Sequence, residues 1–565
     1  MSGGPGEATG GGTGGGTGGG TGGGTGGTGG VGDGAGASWP DPAEGADAPL
    51  DALSGGVGGP AALGPLLATV LDALETGATR RGGPLPPGRP GDLAALVDRA
   101  LAAAEGPDAL ARLTELLAHG AADPADPFCA AHLHCPPLAV ATAADLAVSA
   151  LNPSQDSWDQ APAATALETA LLAELAALVG YDPARAAGVV TSGGTESNLM
   201  GLMLARDQKL DGIVELDGLL GLPAGVRPRI FASRAAHFSV QRAAALLGLG
   251  ERAVVPVDVD RDLRMDPVAL ERALAEASWA GHTPVVVVAT AGTTDTGAVD
   301  PLPAAAELAA RYDAWLHVDA AYGGGALLSD RLAPLLDGIE RADSVSLDWH
   351  KLGWQPAAAG VFLVRHAENY VSLARRAVYL NPADDEQAGY PSLLGLSLRT
   401  TRRPDAFKLA VTLRTLGRAG LGRLVDACHD LARYAADTVR AEPELELHAE
   451  PVLTALLFRY RPAGPASSRS AADPAAPGPA APGPAALGTA ALDPAALDRV
   501  NAELRRELLR GGRAVVGRTE LPGEGPGRVR LKLTLLNPHT TPAEVDALIG
   551  EIVRAGRETW RWVGR

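Results

Sequence analysis

The stretch Ser344-Val-Ser-Leu-Asp-Trp-His-Lys351 ends an apolar, strand-like run on a lysine. Lysine is scarce in this chain: it occurs only at Lys209, Lys351, Lys408 and Lys532, and arginine supplies nearly all the other positive charge. Where arginine serves the surface, a retained lysine points to chemistry that needs an amine. An amine condenses with an aldehyde, and a guanidinium does not. Upstream, a second strand-like segment, Ala314-Trp-Leu-His-Val-Asp-Ala-Ala321, carries Asp319 near its end. A carboxylate for a pyridinium nitrogen and a lysine for an aldehyde are the two protein groups that pyridoxal phosphate requires. The two strand ends together imply that cofactor, and with it an enzyme.

Three further segments fit the same reading. Val189-Val-Thr-Ser-Gly-Gly-Thr-Glu-Ser-Asn198 reads as a strand end, a glycine turn and a helix start. The free N–H groups and positive dipole end of such a terminus attract an anion, and Thr195 and Ser197 add hydroxyls. A plain strand-to-helix turn with a threonine cap is the alternative. His237, in Ser233-Arg-Ala-Ala-His-Phe-Ser-Val240, follows the strand-like Pro228–Ala232 and could stack on a flat ring or be an ordinary structural histidine. Ala289-Thr-Ala-Gly-Thr-Thr-Asp-Thr-Gly297 follows the most apolar run, Val285–Ala289. Residues beyond the carboxyl end of a parallel strand face the ligand crevice, so Thr293 and Thr294 can reach a cofactor there while Asp300 braces the loop; a hydroxyl-rich turn is the alternative. His132-Leu-His-Cys135 lacks a partner pair at zinc spacing, and no metal site is expected.

Apolar runs alternating with Ala/Leu-rich amphipathic stretches predict an α/β domain with a mainly parallel sheet over 151–425, after an N-terminal helical segment at 61–150. A smaller α+β domain is expected over 426–565: helix Asp426–Arg440, strand Leu453–Tyr460, helix Ala496–Arg510, strand Val529–Leu535, and a last helix announced by Thr541-Pro-Ala-Glu544. Residues 1–60 are Gly/Thr-rich and 461–494 Pro/Ala-rich, compositions that bury too little apolar area to order a chain, so a disordered tail and a flexible insertion are expected. The formal charge of −18 argues against nucleic acid or an anionic membrane as a main partner. No basic residue precedes Arg80, no apolar signal-like core is present, and the three cysteines follow no disulfide spacing; a reducing cytoplasm is the expected location.

The ordered set Thr-Ser-Gly-Gly-Thr-Glu-Ser-Asn, Ala-His-Phe-Ser, Ala-Gly-Thr-Thr, His-Val-Asp-Ala-Ala-Tyr and His-Lys resembles the group II pyridoxal-phosphate decarboxylases over about residues 120 to 550. That family includes enzymes for aromatic amino acids, glutamate, diaminobutyrate and lysine. Leu151–Gln160, Ser397–Lys408 and Leu531–Pro538 look most like the diaminobutyrate and siderophore-type lysine decarboxylases. The resemblance implies a type I, aspartate aminotransferase-like fold and decarboxylation of a small-molecule amino acid, here one with a second amine. It also implies that Lys351 forms the covalent link to the cofactor, Asp319 pairs with the ring nitrogen, and His237 and Ala321 cover the two ring faces. Gly194, Thr195 and His350 would lie near the phosphate, Thr294 would touch the cofactor, and Asp348 would sit beside the lysine. A homodimer with interfacial sites is implied, with a loop at 378–398 acting in trans; Tyr390 is near, but out of register with, the family's tyrosine there. Asp384-Asp-Glu386 could meet a distal ammonium, or be solvated surface. The rivals are a decarboxylase of glutamate or aromatic amino acids and an aminotransferase on the same fold, because cofactor residues do not decide the fate of the carbanion. A catalytically inactive interaction protein is the reading from another class, and the intact Lys351, Asp319 and His237 argue against it.

Overall fold

The computed structural model describes residues 52–563 apart from 211–216, 223–224, 375–376, 378 and 463–492. Nearly all of the expected tail and insertion therefore lie outside the described residues. The chain opens with helices Gly59–Arg81, Pro90–Ala103, Ala109–Gly120 and Ala139–Leu151. The first helix starts two residues before the expected boundary, and the fourth runs through the one at 150/151. The first and third helices pack closely because Gly77 has no side chain: a Cβ there would lie 2.4 Å from the Glu115 carbonyl oxygen.

A seven-stranded sheet follows, built from β1 (Ala187–Thr191), β2 (Pro228–Ser233), β3 (Val254–Val257), β4 (Thr283–Thr290), β5 (Trp315–Ala320), β6 (Ser344–Asp348) and β7 (Gly360–Val364). Their spatial order is β1-β7-β6-β5-β4-β2-β3, and β7 alone runs antiparallel to its neighbours. Helices cover both faces, which is why Val285 to Val288 and every residue of β5 are buried: a strand covered on two sides carries no polar alternation. Register aligns Thr290, Asp319 and Ser346 across β4, β5 and β6, so three polar side chains reach one level of the sheet. The carboxyl ends of β1, β2, β4, β5 and β6 open on one edge, where ligands of such sheets bind.

The helix Ala406–Ala441 joins this sheet to a smaller one, kinking at Gly417, whose φ is +65°. Leu409 and Leu421 enter the large core and Ala435 and Val439 the small one. The expected boundary at 425/426 and the expected helix start at Asp426 thus fall inside one continuous element, because its apolar stripe runs on through Val425, Cys428 and Ala432. The small sheet is antiparallel, in the order β10 (Gly517–Glu520), β11 (Val529–Thr534), β9 (Ala455–Tyr460), β8 (Leu445–Leu447), with helices Pro494–Arg510 and Pro542–Val563 packed on it. Thr541 and Glu544 form the expected capping box: the Thr541 N–H donates to Glu544 Oε2 (2.7 Å) and the Glu544 N–H to Thr541 Oγ1 (3.4 Å).

Helix Pro162–Val179 is apolar enough to cross a membrane by composition, yet it carries a fully buried carboxylate, Glu168, which accepts from Arg402 Nη1 (2.8 and 3.1 Å) and from the Val190 N–H (3.1 Å). Arg402 and Glu168 are 1 % and 0 % exposed. Removing one partner strands a buried charge, so Arg402→Met is expected to destabilise the fold by about 3–5 kcal/mol, and Arg402→Met with Glu168→Leu by less. Chemical denaturation of the three proteins checks this; a double variant no more stable than the single one would contradict it.

Candidate active site

At the open edge lies a cavity of about 390 Å³. Its wall includes Gly194, Thr195, His237, Thr294, Asp319, Ala321, Asp348, His350 and Lys351, so five separate strand ends bring together the nine residues to which the family resemblance gives a role at the cofactor.

Lys351 follows β6 by three residues, and its Nζ sits 2.8 Å from Asp348 Oδ2. The other lysines are committed elsewhere: Lys209 to Asp313 (2.7 Å), Lys408 to Asp145 and Asp405 (3.0 and 3.1 Å), and Lys532 to Asp295 (2.9 Å) and the Thr294 carbonyl (3.2 Å). Lys351 is the one of the four whose amine lines the cavity. Next to it, His350 Nε2 lies 3.6 Å from the same Asp348 oxygen, and burial lowers the imidazole's pKa, keeping it neutral.

Asp319, on β5, is the most heavily hydrogen-bonded carboxylate in the wall. Its Oδ2 accepts from Asn198 Nδ2 (2.7 Å), and its Oδ1 accepts from the Ala321 N–H (3.1 Å) and Ser346 Oγ (3.3 Å). These donors hold the carboxylate in one orientation at the cavity wall. Behind it, His317 is fully buried and its pKa is lowered to about 4 by desolvation, so it is a neutral hydrogen-bonding group at neutral pH.

The wall suits a pyridoxal-phosphate-sized ligand. A Cβ on Gly194 would come within 2.9 Å of Ala321 Cβ and 3.2 Å of Asp348 Oδ2, so only glycine leaves the cradle open at the start of helix Gly194–Lys209. The first-turn N–H groups of that helix have no intrahelical acceptor and suit a phosphate. Glu196 steadies the turn by accepting from the Ser192 N–H (2.7 Å) and Oγ (2.6 Å), and from Arg399 Nε (2.9 Å). Among the described residues, Thr290 Oγ1, Asp348 Oδ1 and His350 Nδ1 are buried polar atoms without a partner, all on residues of this wall.

Thr293 does not line the cavity: its hydroxyl pairs with Thr296 Oγ1 (2.7 Å) and accepts from the Ala298 N–H (3.1 Å), bracing its own turn. Asp300 does brace the loop, accepting from the N–H groups of Thr290 and Met265 (2.7 Å each), and its burial raises its pKa to about 6. Tyr390 lies outside the wall, edge-on to Trp158 with ring centroids 5.0 Å apart. Asp384, Asp385 and Glu386 stand on the short helix Ala383–Gln387, outside the wall of this chain's own cavity. Val378, at the start of the expected loop, is outside the described residues. In the His132–Cys135 segment, the Cys135 thiol donates to the His350 carbonyl (3.2 Å), and Leu133 reaches the cavity wall.

Residues 90–461 match the family model described as the pyridoxal-dependent decarboxylase conserved domain. The chain belongs to the pyridoxal-dependent decarboxylases. It is 40% identical to an L-2,4-diaminobutyrate decarboxylase of Rhizobium meliloti (strain 1021) over 433 residues, 76% of this chain and 78% of the relative. An L-2,4-diaminobutyrate decarboxylase of Acinetobacter baumannii is 41% identical over 365 residues, 63% of this chain and 71% of that one. Among solved structures, the glutamate decarboxylase domain of a diaminobutyrate-pyruvate transaminase and L-2,4-diaminobutyrate decarboxylase from Vibrio parahaemolyticus superposes with a TM-score of 0.73 at 34% identity, covering 90% of this chain and 98% of that chain. The decarboxylase has the type I pyridoxal-phosphate fold and uses pyridoxal phosphate. Reading residues by type alone leaves out four of this site's buried polar groups, Asn198, Ser239, His317 and Ser346; Asn198 stands in the quoted glycine-turn motif, one helical turn past Gly194, which is the signal that could have found it.

Proposed function

We propose that this decarboxylase removes the α-carboxylate of an L-amino acid bearing a second amine, 2,4-diaminobutyrate first, to give the amine and carbon dioxide. The carrying observation is the 40% identity to a 2,4-diaminobutyrate decarboxylase over 433 residues, in a chain whose cavity holds both Lys351 and Asp319.

Pyridoxal phosphate, when bound, supplies an electron sink for the bond broken at the substrate's α-carbon. The protein's residues then divide the remaining work. Lys351 Nζ is the attachment point, and Asp348, 2.8 Å away, orients the amine and balances its charge. Asp319 would pair with a protonated ring nitrogen, and that charge pairing would keep the ring able to accept electrons. The N–H groups of Gly194 and Thr195, with His350 beside them, would hold the phosphate. His237 and Ala321 would cover the ring faces and Thr294 would border the ring; the Lys532 bond to the Thr294 carbonyl steadies that loop from the small domain. We further propose a cytoplasmic homodimer with sites at the interface. Free Cys129, Cys135 and Cys428 suit a reducing compartment, and Leu71, Leu101 and Leu117, exposed on the N-terminal helices, suit burial against a second copy.

A carbon dioxide release assay across 2,4-diaminobutyrate, ornithine, lysine, glutamate, cysteine sulfinate, tyrosine and tryptophan tests the substrate. The expected result is a kcat/KM for diaminobutyrate at least about tenfold above every monoamino acid, equivalent to about 1.4 kcal/mol of transition-state discrimination. Preference for an acidic or aromatic acid would overturn the substrate, and amino-group transfer to a keto acid without carbon dioxide release would overturn the reaction.

A further inference from the structure

One neutral side chain, Asn198, connects the ring-nitrogen carboxylate to the histidine on the ring face. Its amide orientation follows from its partners. The Asp319 carboxylate can only accept, so the Asn198 atom 2.7 Å from it must be the NH2. The Asn198 oxygen correspondingly faces His317 Nε2 and Ser346 Oγ, each at 2.9 Å, the Ser346 hydroxyl hydrogen being shared with Asp319 Oδ1 at 3.3 Å. His317 can donate from Nε2 because its Nδ1 accepts from Ser344 Oγ (2.8 Å), a hydroxyl that itself accepts from Trp315 Nε1 (2.9 Å). With one NH2 hydrogen on Asp319, the other points at Ser239 Oγ (3.0 Å), which therefore accepts. The Ser239 hydroxyl hydrogen is then free to go to His237 Nδ1, 2.9 Å away, and the Ser239 backbone N–H points at the same nitrogen (3.3 Å).

The partners along this path favour one arrangement, which ends at His237 with Nδ1 facing two donors of Ser239, its hydroxyl and its backbone N–H. We propose that Asn198 and Ser239 are positioning residues that fix His237 as the neutral tautomer protonated on Nε2, so that the ring-face histidine offers an N–H donor to the reacting side of the cavity. Burial, which disfavours the imidazolium, acts in the same direction. An imidazole free to carry its proton on either nitrogen would be correctly set for only part of the time. The inference rests on the proposed function only in treating the His237 face as the reacting one.

The test is nitrogen-15 NMR of the histidine-labelled holoenzyme at neutral pH, with His237 assigned by its loss in His237→Gln. The expected spectrum has a pyrrole-type Nε2 and a pyridine-type Nδ1 in the wild type. Ser239→Ala should mix the tautomers and lower kcat about tenfold, within the range set by a correctly protonated acid–base group, while cofactor content per subunit stays unchanged. Ser239→Thr, which keeps a hydroxyl, should restore the wild-type spectrum. A wild-type His237 protonated on Nδ1 or on both nitrogens would overturn the proposal, as would an unchanged spectrum in Ser239→Ala. The nitrogen shifts are read without turnover, so failure of the substrate assay leaves this result standing, and the converse holds.

Discussion

Lys351→Ala is expected to lower carbon dioxide release by at least about 10⁴-fold, the upper end of what one positioned proton-transfer group contributes, before loss of covalent attachment is counted. No neighbour can substitute. Lys408 is fully buried between Asp145 and Asp405, and Lys532 is held by Asp295 and the Thr294 carbonyl. The variant should still fold, since Lys351 makes one ion pair, with Asp348, at the cavity wall. Steady-state assays at saturating pyridoxal phosphate check it. Residual activity within about a hundredfold of wild type would mean that another amine takes up the cofactor.

Asp319→Asn is the second large effect. The amide keeps the shape and can still accept on one side, but it carries no charge to hold a proton at the ring nitrogen. Removing one preorganised electrostatic group of this kind typically costs about 10²–10³ in kcat. Cofactor affinity should change far less, because the phosphate cradle at Gly194 and Thr195 and the attachment at Lys351 are untouched. A cost on folding is expected as well. Asn198 Nδ2 now donates across 2.7 Å to Asp319 Oδ2, and if the introduced amide turns its nitrogen that way, two donors meet with no acceptor between them. Measuring kcat beside cofactor dissociation separates the two roles, and wild-type turnover with cofactor bound would refute the assignment.

How far the site was legible follows from what each residue does. Lys351 and Asp319 declare themselves because their chemistry has few substitutes, and because each ends an apolar run that can only be a buried strand. Gly194 is legible as part of a strand–turn–helix pattern, which is local. Asn198 and His317 are not, because their meaning lies in a hydrogen bond spanning 119 residues of sequence that forms only once the sheet is assembled. Thr293 shows the converse: a hydroxyl at a strand end reads as ligand-facing, yet its turn consumes it. The fold divides similarly. Alternating runs announce the parallel sheet, whereas a helix that serves two cores, Ala406–Ala441, hides the domain boundary, because its stripe is continuous while its packing partners change.

Borohydride reduction of the holoenzyme followed by peptide mapping tests the central claim most directly, since it asks which atom of the protein holds the cofactor. One pyridoxyl group per chain is expected, on the peptide containing Lys351. A pyridoxyl group on Lys209, Lys408 or Lys532, or none on any lysine of a catalytically active preparation, would contradict it.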